Sequence, residues 1–324
     1  MSEDAPGNST IGAMFGAGNA ETFMGLPKAS PYSLPKGTGA AILGVPSATP
    51  YPEVGAYCAA APAAVRAALA DYAANIEHPD FDHGEPMLGL TGFSAVDCGD
   101  IKTDPQEPAT SRAAIRAATR AVRKAGTVPL VIGGDDSVPI PVLAAYAGED
   151  PMTILQIDAH IDWRDSVRGE SFGLSSTMRR ASEMEHVTGI VQAGQRAIGS
   201  ARTADWLEAR RWGTKFVSAR TIHREGVGAA IDALPEGGNI FISLDVDAFD
   251  PSIVPGVIGR APGGLTYWHV IDLIEKAAAK GTIVGFAMVE LMPRRDVDGL
   301  GALVAARTLC NVIAAVRRQA ESAV

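Results

Sequence analysis

The run Thr153-Ile154-Leu155-Gln156-Ile157, followed at once by Asp158-Ala159-His160-Ile161-Asp162, decides the fold. A short apolar stretch that ends abruptly in acids reads as a buried strand opening onto a polar sheet edge. Three more stretches repeat the pattern. The run 128–132 leads into Gly133-Gly134-Asp135-Asp136-Ser137, and 239–243 into Leu244-Asp245-Val246-Asp247-Ala248-Phe249-Asp250-Pro251. The run 283–289 ends at Glu290. Further apolar runs lie at 40–45, 94–98, 189–193 and 215–218. They are continuous rather than alternating, which suits parallel strands buried on both faces. Ala-rich helical patterns fall between them at 61–74, 111–125, 203–211 and 267–279, and a last one at 300–320 closes the chain. Strand, helix, strand in repetition predicts an α/β fold, a parallel sheet with helices on both sides. No internal repeat or linker divides it, so one domain is expected over residues 39–324.

The chain has 324 residues, 47% hydrophobic and 20% charged, the make-up of a globular rather than a disordered protein. A net charge of −9 leaves no general basic face for phosphate, so nucleic acid is not an expected partner. No run of about 18 uncharged apolar residues occurs, so no membrane span is expected. The opening Met1-Ser2-Glu3-Asp4 is acidic, unlike a secretory or transit signal. Cys58, Cys98 and Cys310 are few and far apart, which fits neither a disulfide scaffold nor a zinc knuckle. A reducing cytoplasm is the expected setting. Residues 1–38 are rich in Gly, Pro and Ser. They read either as a loose tail or as an arm packing on a neighbouring subunit through Met14, Phe15, Phe23, Met24 and Leu26.

Four strands thus deliver carboxylates at their carboxyl ends, the edge where open α/β sheets bind ligands. In extended chain, residues two apart share a face. Asp158, His160 and Asp162 are therefore expected to project together, as are Asp245 and Asp247. Five or more carboxylates in one cleft repel one another, and no Lys or Arg lies within the motifs to balance them. Two divalent cations would. Carboxylate-rich ligation with one imidazole favours Mn2+, with Ni2+ or Co2+ as alternatives.

Some of these residues also have a plain structural reading. Asp136 and Ser137 suit the start of a following helix, with Ser137 as its cap. Asp250 before Pro251 suits a turn, and Glu290 suits a buried partner for an arginine. Asp158, His160 and Asp162 resist such a reading, because three polar groups on one buried face need something to satisfy them. His78, His83, His186, His223 and His269 lack ligand spacing and read as surface or capping residues.

Together, 133–137, 158–162, 243–251 and Glu290 resemble the signatures of the ureohydrolase superfamily, which comprises arginases, agmatinases and guanidino-acid hydrolases. The agmatinase-like branch is the more similar. The resemblance implies a three-layer α/β/α fold with a central eight-stranded parallel sheet, a binuclear Mn2+-type centre, and a trimer or hexamer of like chains. It implies that Asp158 and Asp245 bridge the metals, that Asp162 completes one site, and that His160 with Asp247 completes the other. Asp136 stands where the family carries His, so the candidate metal ligands are Asp136, Asp158, His160, Asp162, Asp245 and Asp247. A second departure is the stretch 168–176, which holds no His where the family has a His-Gly pair.

The chemistry implied is hydrolysis of a C–N bond in a linear amidine, releasing urea. A guanidinium carbon is a poor electrophile, so water must be activated, and water bridging two cations is acidic enough. Asp162 and Glu290 are the candidate catalytic residues, Asp162 orienting the nucleophile and Glu290 holding the guanidinium. Residues 163–180 are expected to line the cleft mouth, where Arg164 and Arg168 read as substrate-binding. With Arg179 and Arg180 they make a basic lip that favours a guanidino acid, or a small guanidine with an uncharged tail, over agmatine, unless these last two sit on a solvated helix. A different reading follows from the two departures: a catalytically silent subunit that partners an active paralogue.

Overall fold

The structure is a computed structural model and describes residues 21–322. Eight strands form its centre: β1 (Ala40–Val45), β2 (Ala95–Asp100), β3 (Val128–Gly133), β4 (Met152–Ile157), β5 (Val187–Ala193), β6 (Lys215–Val217), β7 (Asn239–Asp245) and β8 (Thr282–Val289). They pair in parallel as one sheet, in the order β2-β1-β3-β8-β7-β4-β5-β6. All eight apolar runs became strands, several of them longer by one or two residues. Successive side chains feed two separate cores, Ile42 and Leu155 on one face, Leu43 and Ile154 on the other. That is why the runs are continuous.

Helices cover both faces. Among the described residues they are α1 (Ala61–Ala67), α2 (Pro108–Lys124), α3 (Pro139–Leu143), α4 (Thr177–Ala181), α5 (Thr203–Trp212), α6 (Ala219–Glu225), α7 (Gly228–Asp232), α8 (Tyr267–Lys280) and α9 (Leu300–Ser322). The first core receives residues of α1, α8 and α9, and the second those of α2, α3, α4 and α5. This is the three-layer arrangement. The pattern at 61–74 splits, α1 ending at Ala67 and a 3-10 segment running from Ala70 to Asn75. By length and composition α9 could cross a bilayer, with a mean hydropathy of 1.5 over its most apolar window. It is instead 78% buried there against the sheet and α8, as a core helix.

The leader is corrected in part. Met14 and Phe15 lie outside the described residues. Phe23, Met24 and Leu26 are buried in this chain's own first core, not on a neighbour. Asp97 of β2, 0% exposed, holds this segment down. Its carboxylate accepts the Phe23 N–H at 2.9 Å, Arg66 Nε at 2.8 Å and Arg66 Nη2 at 3.0 Å. Arg66 also donates to Asp100 Oδ1 at 2.6 Å, so removing Asp97 takes two of its three carboxylate contacts and leaves the Phe23 N–H without its acceptor. Asp97→Ala is therefore expected to cost about 1–3 kcal/mol in urea unfolding. A loss below about 1 kcal/mol would show that the pair does not anchor the segment.

Candidate metal centre

The sheet order makes β3, β8, β7 and β4 consecutive neighbours, so their acid-bearing carboxyl ends meet at the centre of one edge. Ile157 pairs with Leu244, which sets Asp158 beside Asp245, and Asp245 pairs with Val289, just before Glu290. The Glu290 N–H continues the ladder to Gly134 O at 2.8 Å. Gly134 itself lies so close to Pro46 O that any Cβ there would collide with backbone.

Asp136, Asp158, Asp162, Asp245, Asp247 and Glu290 are all buried, none more than 7% exposed. Among the described residues two ligand groups form, each with its ligand atoms within 4.8 Å of one another: Asp136, Asp158, Asp162 and Asp158, His160, Asp247. Asp158 belongs to both. His160 Nδ1 lies 2.9 Å from Asp247 Oδ2 and 3.6 Å from Asp158 Oδ1. Asp245 is outside both groups; its Oδ1 accepts the Asp247 N–H at 2.7 Å.

The two-residue spacing is not what gathers these acids. Strand β4 stops at Ile157, and Asp162 turns inward through a left-handed backbone, φ 44°. Asp247 sits in a single 3-10 turn, Val246–Ala248, with Asp245 at its N-cap. Glu290 also has positive φ, 71°. Such conformations cost about 1–3 kcal/mol each in non-glycine residues and persist where surrounding structure imposes them. Ser137 is not a helix cap either: its hydroxyl donates to Asp135 Oδ1 and accepts the Thr49 N–H at 2.7 Å. Asp250 is the turn residue expected, accepting N–H groups of Ser252, Gly263 and Gly264.

The other five histidines stay out of the cluster. His269 caps α8 with Thr266, and His186 bonds Leu143 O at 2.9 Å.

Several residues that frame the cluster carry no motif. The Tyr57 hydroxyl donates to both Glu290 oxygens, 2.7 Å each, and the Asp136 N–H reaches Glu290 Oε1 at 2.8 Å. Gln156 Nε2 stands 2.7 Å from both Asp158 Oδ2 and Asp162 Oδ2. Arg196 grips the Asp247 turn through backbone carbonyls, 2.6 Å to Asp247 O. Gly199 lets its loop lie against the His160 ring, where a Cβ would come 2.6 Å from Cδ2.

Arg164 and Arg168 do not face the cluster. Arg164 donates to Ser200 O at 2.9 Å and lies 3.6 Å from Asp205; Arg168, largely exposed, pairs with Glu53. Arg179 pairs with Glu208 and Arg180 with Asp165, both cations on or beside α4. The basic lip is therefore neutralised locally. Charge at the mouth gives no ground for excluding agmatine.

Burial and mutual repulsion hold Asp136, Asp162, Asp245 and Asp247 above the ordinary carboxylate range. Burial and the charge of Asp135 push Glu290 up to about 8, against the Tyr57 hydrogen bond. Burial opposes ionisation of Asp158 and of His160, but their mutual contact prevails: Asp158 is lowered and His160 rises to about 12. Asp136 Oδ2 is buried with no hydrogen-bond partner. Crowded oxygen donors, one imidazole and an unpartnered buried carboxylate oxygen fit hard or borderline divalent cations.

Stability should report this crowding. A carboxyl group whose folded pKa exceeds its unfolded value stabilises the fold below that unfolded value and loses this as pH rises through the folded one. Asp136, Asp162, Asp245, Asp247 and Glu290 are such groups; the opposite contribution of Asp158 is lost only in acid, and the raised His160 loses its stabilisation above its ordinary value, in the same direction as the five. Chelator-treated protein should therefore melt at falling temperature from about pH 5 to about pH 8, and added Mn2+ should raise the melting point more at the alkaline end. A flat or rising profile without metal would contradict the crowding.

Residues 38–315 match the Arginase family. Arginase 1, mitochondrial, of Arabidopsis thaliana is 33% identical over 194 residues, covering 59% of this chain and 55% of that protein. The chain thus spans about half the length of the arginases it matches. The agmatinase of Chromobacterium violaceum is 27% identical over 270 residues, 80% of this chain and 78% of that protein. Among solved structures, proclavaminate amidino hydrolase from Streptomyces clavuligerus superposes with a TM-score of 0.79 at 26% identity, covering 92% of this chain and 97% of that one. With a family match that takes in all eight strands and every acid of the cluster, the chain belongs to the arginase family.

Proposed function

We propose that this chain is a metal-dependent amidinohydrolase that cleaves a C–N bond of a small guanidino compound and releases urea. The observation that carries the reading is the pair of ligand groups sharing Asp158, with Glu290 beside them at the same edge. Asp136, Asp158 and Asp162 would hold one divalent ion, and Asp158, His160 and Asp247 the other. Asp245, which feels the charges of Asp247, Asp158, Glu290 and Asp136, would be the second shared ligand. Mn2+ suits this donor set, with Ni2+ or Co2+ as alternatives.

When bound, two such ions make water acidic and polarise the amidine. The chain's own residues do the rest. Glu290 accepts guanidinium N–H groups and neutralises the planar cation. Tyr57 and the Asp136 N–H hold that carboxylate in place before substrate arrives. Asp162 orients the attacking water and accepts its proton. Water adds to the guanidinium carbon, the C–N bond breaks, and the amine leaves with a proton from a general acid.

Two measurements test this. By elemental analysis, wild-type protein purified without chelator should hold two divalent ions, Asp136→Ala fewer and Asp158→Ala none. Equal content in all three would remove these residues from the ligand set. Metal-loaded protein should release urea from at least one of agmatine, arginine, guanidinobutyrate, guanidinopropionate, guanidinoacetate and free guanidine. Turnover of none would favour the second reading, a silent subunit of a mixed oligomer. That reading draws on Asp136 in place of His and on the His-free stretch 168–176.

A further inference from the structure

We infer that Gln156 is a positioning residue of this centre: its carboxamide, oriented by Gln192, holds Asp158 and Asp162 side by side for cation binding. The inference rests on the metal reading above. Gln156 and Gln192 are 1% and 0% exposed and stand opposite each other on β4 and β5. On their own face of the sheet, Ile154 and Ile190, two residues earlier on each strand, are apolar and buried. Burying two carboxamides beside them is unfavourable unless their hydrogen bonds are made, and all of their polar atoms but Gln192 Oε1 have partners.

The bonding fixes which way each amide points. Ile161 O only accepts, so Gln192 must present Nε2 to it, at 2.9 Å. The same Nε2 donates to Gln156 Oε1. Gln156 therefore turns its own Nε2 the other way, and its two N–H groups go to Asp158 Oδ2 and Asp162 Oδ2, 2.7 Å each. Every donor on Gln156 is used on a candidate ligand. Asp162 has left the strand direction, and its charge repels that of Asp158. A neutral double donor draws the two carboxylates together without adding a fixed charge. A lysine or arginine there would supply the positive charge itself and compete with a cation.

The variants Gln156→Met and Gln192→Met keep length and apolar volume while removing the amides. Mn2+ affinity is measured by calorimetry at a temperature where circular dichroism shows each chain folded. Gln156→Met should bind Mn2+ about 10–100-fold more weakly, the range for partners that orient metal ligands. Gln192→Met should weaken it in the same direction. The double variant should match Gln156→Met within about threefold, because both residues act through one contact. A buried pair that merely filled the core would lower the melting temperature and leave Mn2+ affinity unchanged; that result, or multiplicative losses in the double variant, overturns the inference. If Gln156→Met does not fold, Gln192→Met carries the test, since Gln192 touches no candidate ligand, and unchanged affinity there overturns the relay. Wild-type protein without Mn2+ affinity would overturn the metal reading itself.

Discussion

Like charges buried at one sheet edge are the constraint on which the rest of this structure depends. Six carboxylates and one imidazole sit together there, and Arg196, beside Asp247, spends its guanidinium on backbone carbonyls. An ionised carboxylate out of water is costly without a partner, and each neighbour of like sign adds to the cost. Only a stiff frame keeps such groups in place. Four adjacent parallel strands supply it, packed on both faces. Small local devices complete it: a glycine at 134 against Pro46, left-handed backbone at Asp162 and Glu290, and the arginine-held turn under Asp247.

Much of this was legible because buried parallel strands read as unbroken apolar runs, and a charge after such a run has few places to go. Asp136, Asp158, Asp245 and Glu290 declared themselves that way, each just past a strand or at its last residue. Asp162 and Asp247 were gathered for a different reason than the one that pointed to them: a positive φ and a 3-10 turn, neither visible as a two-residue period. Arg164 and Arg168 show the limit of counting charge along a segment. Their signs were right, but Asp205 and Glu53, which pair with them, come from other parts of the chain.

What stayed hidden was polar and lacked a motif. Tyr57 lies in the loop after β1, and its role exists only because that loop folds over Glu290. Gln156 sits inside an apolar run, where one amide among aliphatic residues gives no periodic signal. A buried Gln facing acids acquires meaning only once the partner strand is known, because Gln192 fixes which end of the amide points at them.

The same physics bears on Asp136. Its carboxylate lies within one ligand group, its N–H bonds Glu290, and its carbonyl accepts from Thr177. In the proposed reading, a carboxylate here in place of the family's imidazole would keep a donor atom and make the group more anionic and harder. A fold with no use for cations would be more stable with fewer acids at this edge, since their mutual repulsion is relieved only by protonation or by positive charge. The shared Asp158 and the unpartnered Asp136 oxygen therefore favour a centre that binds metal over a fold that has lost it. The same extra negative charge would lower the Lewis acidity of an ion held there, so tighter metal binding and slower turnover would come together.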